Sequence, residues 1–218
     1  MKRYFVRFLS LLSGSLLYAI GVVLTIRANV GYSPWEVFHV GLSLTTGISL
    51  GIITIIVGTV IVIFVTVVGE KLGFGSILSV LFTGFGIDLL FFLNVIPIAP
   101  NYATGMVMMI AGLFVISFGT FFYIRSAFSA GPRDNLMIII KRKTKFPIGV
   151  CRVIVEFLVT GAGWLLGGMV GIGTIVSVVA IGFCIQITFT LLRFKPTEVD
   201  HETLIQTCRG IRNCFRKL

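Results

Sequence analysis

Six long apolar runs constrain this chain more than any other feature. They cover residues 8–26, 51–68, 74–93, 104–124, 149–166 and 172–192. Each is close to the roughly 20 residues a helix needs to cross about 30 Å of hydrocarbon. Charged residues make up 12% of the chain, against roughly 25% in a soluble domain, so an aqueous globule would lack half its usual charged surface. Mean hydropathy is +1.06. The chain reads as an all-α polytopic membrane protein. The basic start, Met1-Lys-Arg-Tyr-Phe-Val-Arg7, has the charge of a signal-peptide n-region. No small-x-small cleavage site follows, and the first run is read as a membrane helix.

The formal net charge of +10 reports orientation. With six crossings and both termini cytoplasmic, the cytoplasmic segments collect nearly all Lys and Arg. Arg27 falls outside and Arg152 within a span, while the external loops 94–102 and 167–171 carry no charge. This is the positive-inside pattern. It leaves no need for nucleic acid as a partner.

The chain repeats itself at an offset of 98 residues. Ile26-Arg27 matches Ile124-Arg125, Pro34 matches Pro132, Gly51 matches Gly149, and Gly73-Phe74-Gly75 matches Gly171-Ile172-Gly173. Gly14, Gly21, Gly69 and Gly84 likewise match Gly112, Gly119, Gly167 and Gly182. Three spans per half is an odd number, so the second half enters the membrane from the opposite side. The expected fold is therefore two inverted three-helix repeats. The first, 1–98, has spans at about 8–27, 50–68 and 74–95; the second, 99–195, has spans at about 104–125, 147–166 and 172–193.

Each half also holds an extra short helix led by proline, at 33–45 and 131–143. Pro34 and Pro132 suit a first helical turn, where no amide hydrogen is needed. Ser33 and Glu36 fit a capping box, and Asp134 puts negative charge on the helix start. Lys141-Arg-Lys143 forbids a crossing by the second helix. These helices lie flat on the interface or enter as re-entrant half-helices. The re-entrant placement requires that the irregular backbone before them be buried in protein or line a cavity.

Several motifs carry a resemblance. Gly31-Tyr-Ser-Pro-Trp-Glu36, Thr46-Gly-Ile-Ser-Leu-Gly51, Gly131-Pro-Arg-Asp-Asn-Leu-Met137, and Glu156 with the glycine-rich stretch from Gly163 to Thr174 resemble the YczE-like bacterial membrane proteins of the YczE/YyaS/YitT grouping. The resemblance covers about residues 8–192. Where that family usually has Asp, this chain has Glu36, which keeps the charge. The resemblance implies a polytopic protein of the bacterial plasma (inner) membrane and no particular substrate.

A charge inside a membrane helix costs about 2.5–3.5 kcal/mol and is a functional candidate by default. Glu156 stands one turn from Arg152. The two form either a structural ion pair or a coupling carboxylate whose proton affinity follows the distance to Arg152. Asp88 and its counterpart Gln186 put polar groups at one pseudo-symmetric level. Either each bonds an opposing carbonyl or serine, or Asp88 lacks a partner and is held protonated. Arg27 and Arg125, which end the first span of each half, either snorkel to headgroups or complete an anion site with the neighbouring short-helix start. Trp35, Glu36, Arg133 and Asp134 are short-helix and gate candidates. His39, three residues after Glu36, is either a pH sensor or an interfacial histidine without special role.

The segment 196–218 reads as a basic amphipathic helix lying on the cytoplasmic leaflet or on a cytoplasmic partner. Cys151, Cys184, Cys208 and Cys214 have no metal-ligand spacing with a histidine and read as small apolar fillers. No cofactor or metal is expected. Enzymatic motifs are absent, among them HExxH, GxSxG and the Walker loop. The leading expectation is a permease or exporter for a small solute, with a central site near Glu156 and Asp88 and a homo-oligomeric assembly. The competing one is a non-transporting regulatory or scaffolding membrane protein.

Overall fold

The computed structural model describes residues 2–69, 73–128, 131–144 and 148–194, with backbone alone at 2–4, 74, 132, 134, 135, 137, 138, 141, 148 and 149. The expected amphipathic tail lies outside these residues. Among the described residues the chain forms eight helices and no strand: α1 (Lys2–Arg27), α2 (Pro34–Thr46), α3 (Leu50–Val67), α4 (Phe74–Leu93), α5 (Tyr102–Arg125), α6 (Pro132–Thr144), α7 (Ile148–Leu165) and α8 (Ile172–Leu191). Among the described residues, five stretches are long and apolar enough to cross a membrane: Phe5–Arg27, Leu50–Val67, Gly75–Leu93, Tyr102–Arg125 and Ile172–Leu191. The 18-residue α7 carries Arg152 and Glu156, and the side chains of its first two residues lie outside the described residues.

The 98-residue offset is written into the helices. The bounds of α6, α7 and α8 are those of α2, α3 and α4 moved by 98, and α1 and α5 end at Arg27 and Arg125. Backbone irregularities follow it too. Asn29 and Ala127 both take positive φ (53° and 56°), as do Gly69 and Gly167 (94° and 92°).

Helix ends follow local chemistry. Asn101 caps α5 by accepting from the Thr104 amide at 2.8 Å, and Gly47 closes α2 in the left-handed region. The capping box expected at Ser33 is not formed: Ser33 makes no side-chain cap bond, and Glu36 lies instead beside Arg133.

The centre of the molecule is the α1–α5 crossing. Gly14 backs onto the Gly119 carbonyl and Gly21 onto that of Gly112, so close that a Cβ at either position would stand 2.8 Å from the opposing oxygen. Lipid tails are as apolar as leucine, so membrane helices associate through such close packing rather than through exclusion of water. Around the crossing, Val22, Val23, Ile87, Met109, Leu113 and Cys184 form one buried cluster. A second joins Trp35 and Val155 to Ile61, Val62, Val65 and Ile139. Large apolar residues on the outer faces of α3, α4, α7 and α8 are exposed, including Phe64, Phe92, Phe157 and Phe183.

The short helices are held inside this frame. Six of the 13 residues of α2 are buried, and the helix packs on α7, α3 and α8; α6 packs on α3 and α7. The irregular stretch before α2 is likewise covered. Ala28 and Val30 are buried, and backbone bonds run from Tyr32 to Met169 and from Gly173 to Val30. Protein thus satisfies the backbone where no helix does. One contact is uneven between the halves: α3 packs on α4 through Gly51 and Gly84, whereas among the described residues α7 and α8 scarcely touch and Gly182 faces open space.

Gly14→Leu or Gly119→Leu should destabilise the protein by about 1–3 kcal/mol or abolish folding. Gly161→Ala, where a Cβ meets nothing within 4 Å, should be neutral or gain up to about 1 kcal/mol. Thermal unfolding of the purified protein in detergent checks both.

Candidate functional site

A cavity of about 220 Å³ lies where α2, α6 and α7 meet the central helices. The short helix α2 brings Trp35, Glu36 and His39; α6 brings Arg133; α7 brings Arg152 and Glu156. Pro34 starts α2 without needing a hydrogen-bond partner, and residues 35, 36 and 39 share one face of that helix. Ser15 and Tyr18 of α1, Thr54 of α3 and Tyr123 of α5 add hydroxyls to the wall.

Two ion pairs sit in the cavity. Arg152 Nε donates to Glu156 Oε1 at 2.8 Å, within α7. Arg133 Nη1 lies 3.8 Å from Glu36 Oε1, joining the two halves of the chain. The same nitrogen donates to Tyr18 Oη at 3.2 Å, and the guanidinium carbon stands 4.7 Å from the centre of the Trp35 ring. Glu36 is 3% exposed, His39 3% and Glu156 8%. Four charges thus share a small space whose walls are otherwise mostly apolar.

The site also holds unused bonding capacity. Among the described residues, His39 Nε2 and Ser15 Oγ are buried without a hydrogen-bond partner, and both residues line the cavity. A buried polar atom left unpaired costs about 1–3 kcal/mol, so these two atoms call for a polar guest or water.

Other expected site residues lie elsewhere. Asp88 has the partners that it would lack in the protonated reading: Ser49 Oγ donates to Oδ2 at 2.6 Å and the Gly51 amide to Oδ1 at 2.7 Å. It thus caps the start of α3, where an anion suits the helix dipole, and it does not line the cavity of Glu156. Gln186 is exposed and borders a shallow outer groove with Phe189, Arg193 and Phe194. Arg27 donates to Asn94 Oδ1 at 2.8 Å and lies over Phe91, and the exposed Arg125 lies over Phe121. The side chains of Pro132 and Asp134 lie outside the described residues. Arg133, expected beside Asp134 as a gate pair, reaches Glu36 of the other half.

His39 is a buried part of the cavity wall. Its sequence signal was the i, i+3 spacing from Glu36. Ser15, Tyr18 and Tyr123 gave no such signal, being single hydroxyls inside apolar runs. Arg7 is a further surprise: its Nε donates to the Ser126 carbonyl at 2.6 Å and Nη2 to that of Ala127 at 2.8 Å, closing the end of α5.

Residues 5–190 match the model of a family described as a family of unknown function, DUF6198. The chain belongs to this family. Among curated proteins it is 32% identical over 176 residues to the "Uncharacterized membrane protein YczE" of Bacillus subtilis (strain 168), covering 80% of this chain and 81% of that protein. It is 29% identical over 202 residues to the "Uncharacterized protein YyaS" of the same organism, covering 90% and 96%. A third relative, an "Uncharacterized protein" of Haemophilus influenzae (strain ATCC 51907 / DSM 11121 / KW20 / Rd), is 29% identical over 181 residues, covering 81% and 80%. No solved structure matches the chain. The expected resemblance to the YczE-like group therefore holds, and with it the reading of a multi-pass membrane protein.

Asp88→Ala should cost roughly 0.5–2 kcal/mol, the usual price of a lost helix cap. The change is read as a lower unfolding midpoint in detergent, with no change in any ligand response of the cavity.

Proposed function

We propose that the chain is a small-solute transporter, a permease or exporter, with the cavity around Glu36, Arg133, Arg152 and Glu156 as its central site. It is built as two inverted three-span repeats, with α7 as the sixth span, both termini cytoplasmic, and α2 and α6 entering as re-entrant half-helices from opposite sides.

Support for the inversion comes from reciprocal contacts. Across a two-fold axis, if position i of one copy touches j of the other, then j touches i. Gly14 backs onto Gly119 and Gly21 onto Gly112, and 112 and 119 are the counterparts of 14 and 21. The same crossing of partners pairs Gly75–Phe128 with Gly173–Val30, and Arg7–Ser126 with Gly105–Ala28.

One observation carries the functional reading. A residue meets its own counterpart where the axis passes, and Trp35 stacks against its counterpart Arg133 inside the cavity. A site on such an axis relates alike to both halves, and hence to both faces of the membrane, as alternating access needs. Its volume is below the roughly 300 Å³ at which pockets for drug-sized ligands begin, in keeping with a small solute.

Thermal unfolding against a panel of metabolites and ions should reveal a ligand that stabilises the parent by about 2.7 kcal/mol at a hundredfold excess over Kd. Glu156→Gln should lose this stabilisation, and flux of that ligand in proteoliposomes should fall with it. Asp88→Asn should keep both responses. Full ligand response and flux in the Glu36→Gln/Glu156→Gln variant would remove the cavity from the mechanism.

A further inference from the structure

Resting on the transporter reading of this cavity, we infer that its ligand is a small organic monocation with N–H donors, a guanidinium or a primary ammonium, held by the Trp35 ring and the Glu36 carboxylate in the place where Arg133 now lies. An aromatic face beside a carboxylate is cation-binding chemistry. The site already holds a cation, tethered to the protein: the Arg133 guanidinium, 4.7 Å from the ring centre and 3.8 Å from the carboxylate.

The arrangement is unequal in a way that decides the sign of the guest. At 3.8 Å the pair is wider than a hydrogen bond, so Arg133 sits near Glu36 without being locked to it. The Arg133 side chain is 25% exposed and that of Glu36 4%. The arginine is the partly exposed member of the pair, and the carboxylate the buried one. When Arg133 withdraws, Trp35, Glu36 and the self-paired Arg152–Glu156 remain, with a formal charge of −1. A monocation balances it. An anion would have to lie against a fixed carboxylate and the negative face of an indole.

Two orphaned atoms supply the second, independent observation. His39 Nε2 and Ser15 Oγ are buried atoms of residues that line the cavity, and among the described residues neither has a hydrogen-bond partner. A guest with several N–H donors can satisfy acceptors at both while it pairs with Glu36. Space allows a short carbon body as well, since 220 Å³ is the liquid volume of about seven waters at ~30 Å³ each.

The test uses the full chain with Trp164→Phe, which leaves Trp35 as the remaining tryptophan. Trp35 fluorescence is titrated in detergent with methylguanidinium, ethylammonium and acetate at matched ionic strength. Saturable responses to the two cations and none to acetate are expected. Arg133→Ala should bind methylguanidinium at least about tenfold more tightly, because the tethered competitor is gone. Adding Glu36→Gln should abolish that gain. Replacing Trp35 with leucine, read by unfolding shift instead of fluorescence, should weaken binding by roughly 2- to 30-fold.

A response to acetate without one to methylguanidinium overturns the inference, as does tight cation binding that survives Glu36→Gln. Should Arg133→Ala not fold, the titration with Arg133 in place decides by the same criteria. Proteoliposome flux separates the two readings. Cation binding with no flux of the cation upholds the site and counts against transport. Flux of another solute by a chain that binds no cation upholds transport and overturns the cation class.

Discussion

Everything in this molecule is hung on the backbone contact between α1 and α5. Two glycine pairs let the helices approach until carbonyl oxygens of one lie against Cα atoms of the other. In a bilayer, where the hydrophobic effect does not drive helix against helix, such proximity gathers the many small dispersion contacts that hold the bundle. From this crossing α4 packs on α1 and α8 on α5. The two short helices are then held by α3 and α7, so that their first turns meet over one cavity.

That meeting explains how two buried carboxylates coexist. Each carboxylate has a guanidinium: one on its own helix, the other from the opposite half. A buried pair stabilises little by itself, since desolvation offsets the attraction, but removing one partner strands the other. The cavity is therefore sensitive at each charged position while contributing modestly to overall stability. Selection for function, more than for folding, is the natural account of four charges there.

Much of the fold was legible in the sequence because membrane helices are signalled by length and apolarity, and because the 98-residue offset checked each boundary against another. The prolines marked the starts of α2 and α6 to within a residue. Within one helix, the Arg152–Glu156 pair followed from spacing alone. What failed was contact between distant segments. No local rule places Arg133 beside Glu36, 97 positions away, or brings Ser49 and Gly51 to Asp88. The burial of His39 was not legible because that of α2 depends on α7 and the turn after it, which pack on it through Gly163 and Gly168. The capping box at Ser33 matched a true pattern, yet the charge across the cavity engages the glutamate that the pattern needs.

The loose fit of α7 against α8 gives the two halves unequal rigidity. Their backbones follow the same plan, so internal helix hydrogen bonds do not distinguish them. The difference lies in side-chain contact: among the described residues, fewer residues of α8 are buried than of its counterpart α4. Local opening free energy follows buried contact, which makes the second half the softer of two nearly identical frameworks. Amide exchange would run faster there, and whatever packs beside Gly182 becomes part of what sets its stiffness. A change of surroundings on that side would thus be felt by one half of the protein more than by the other.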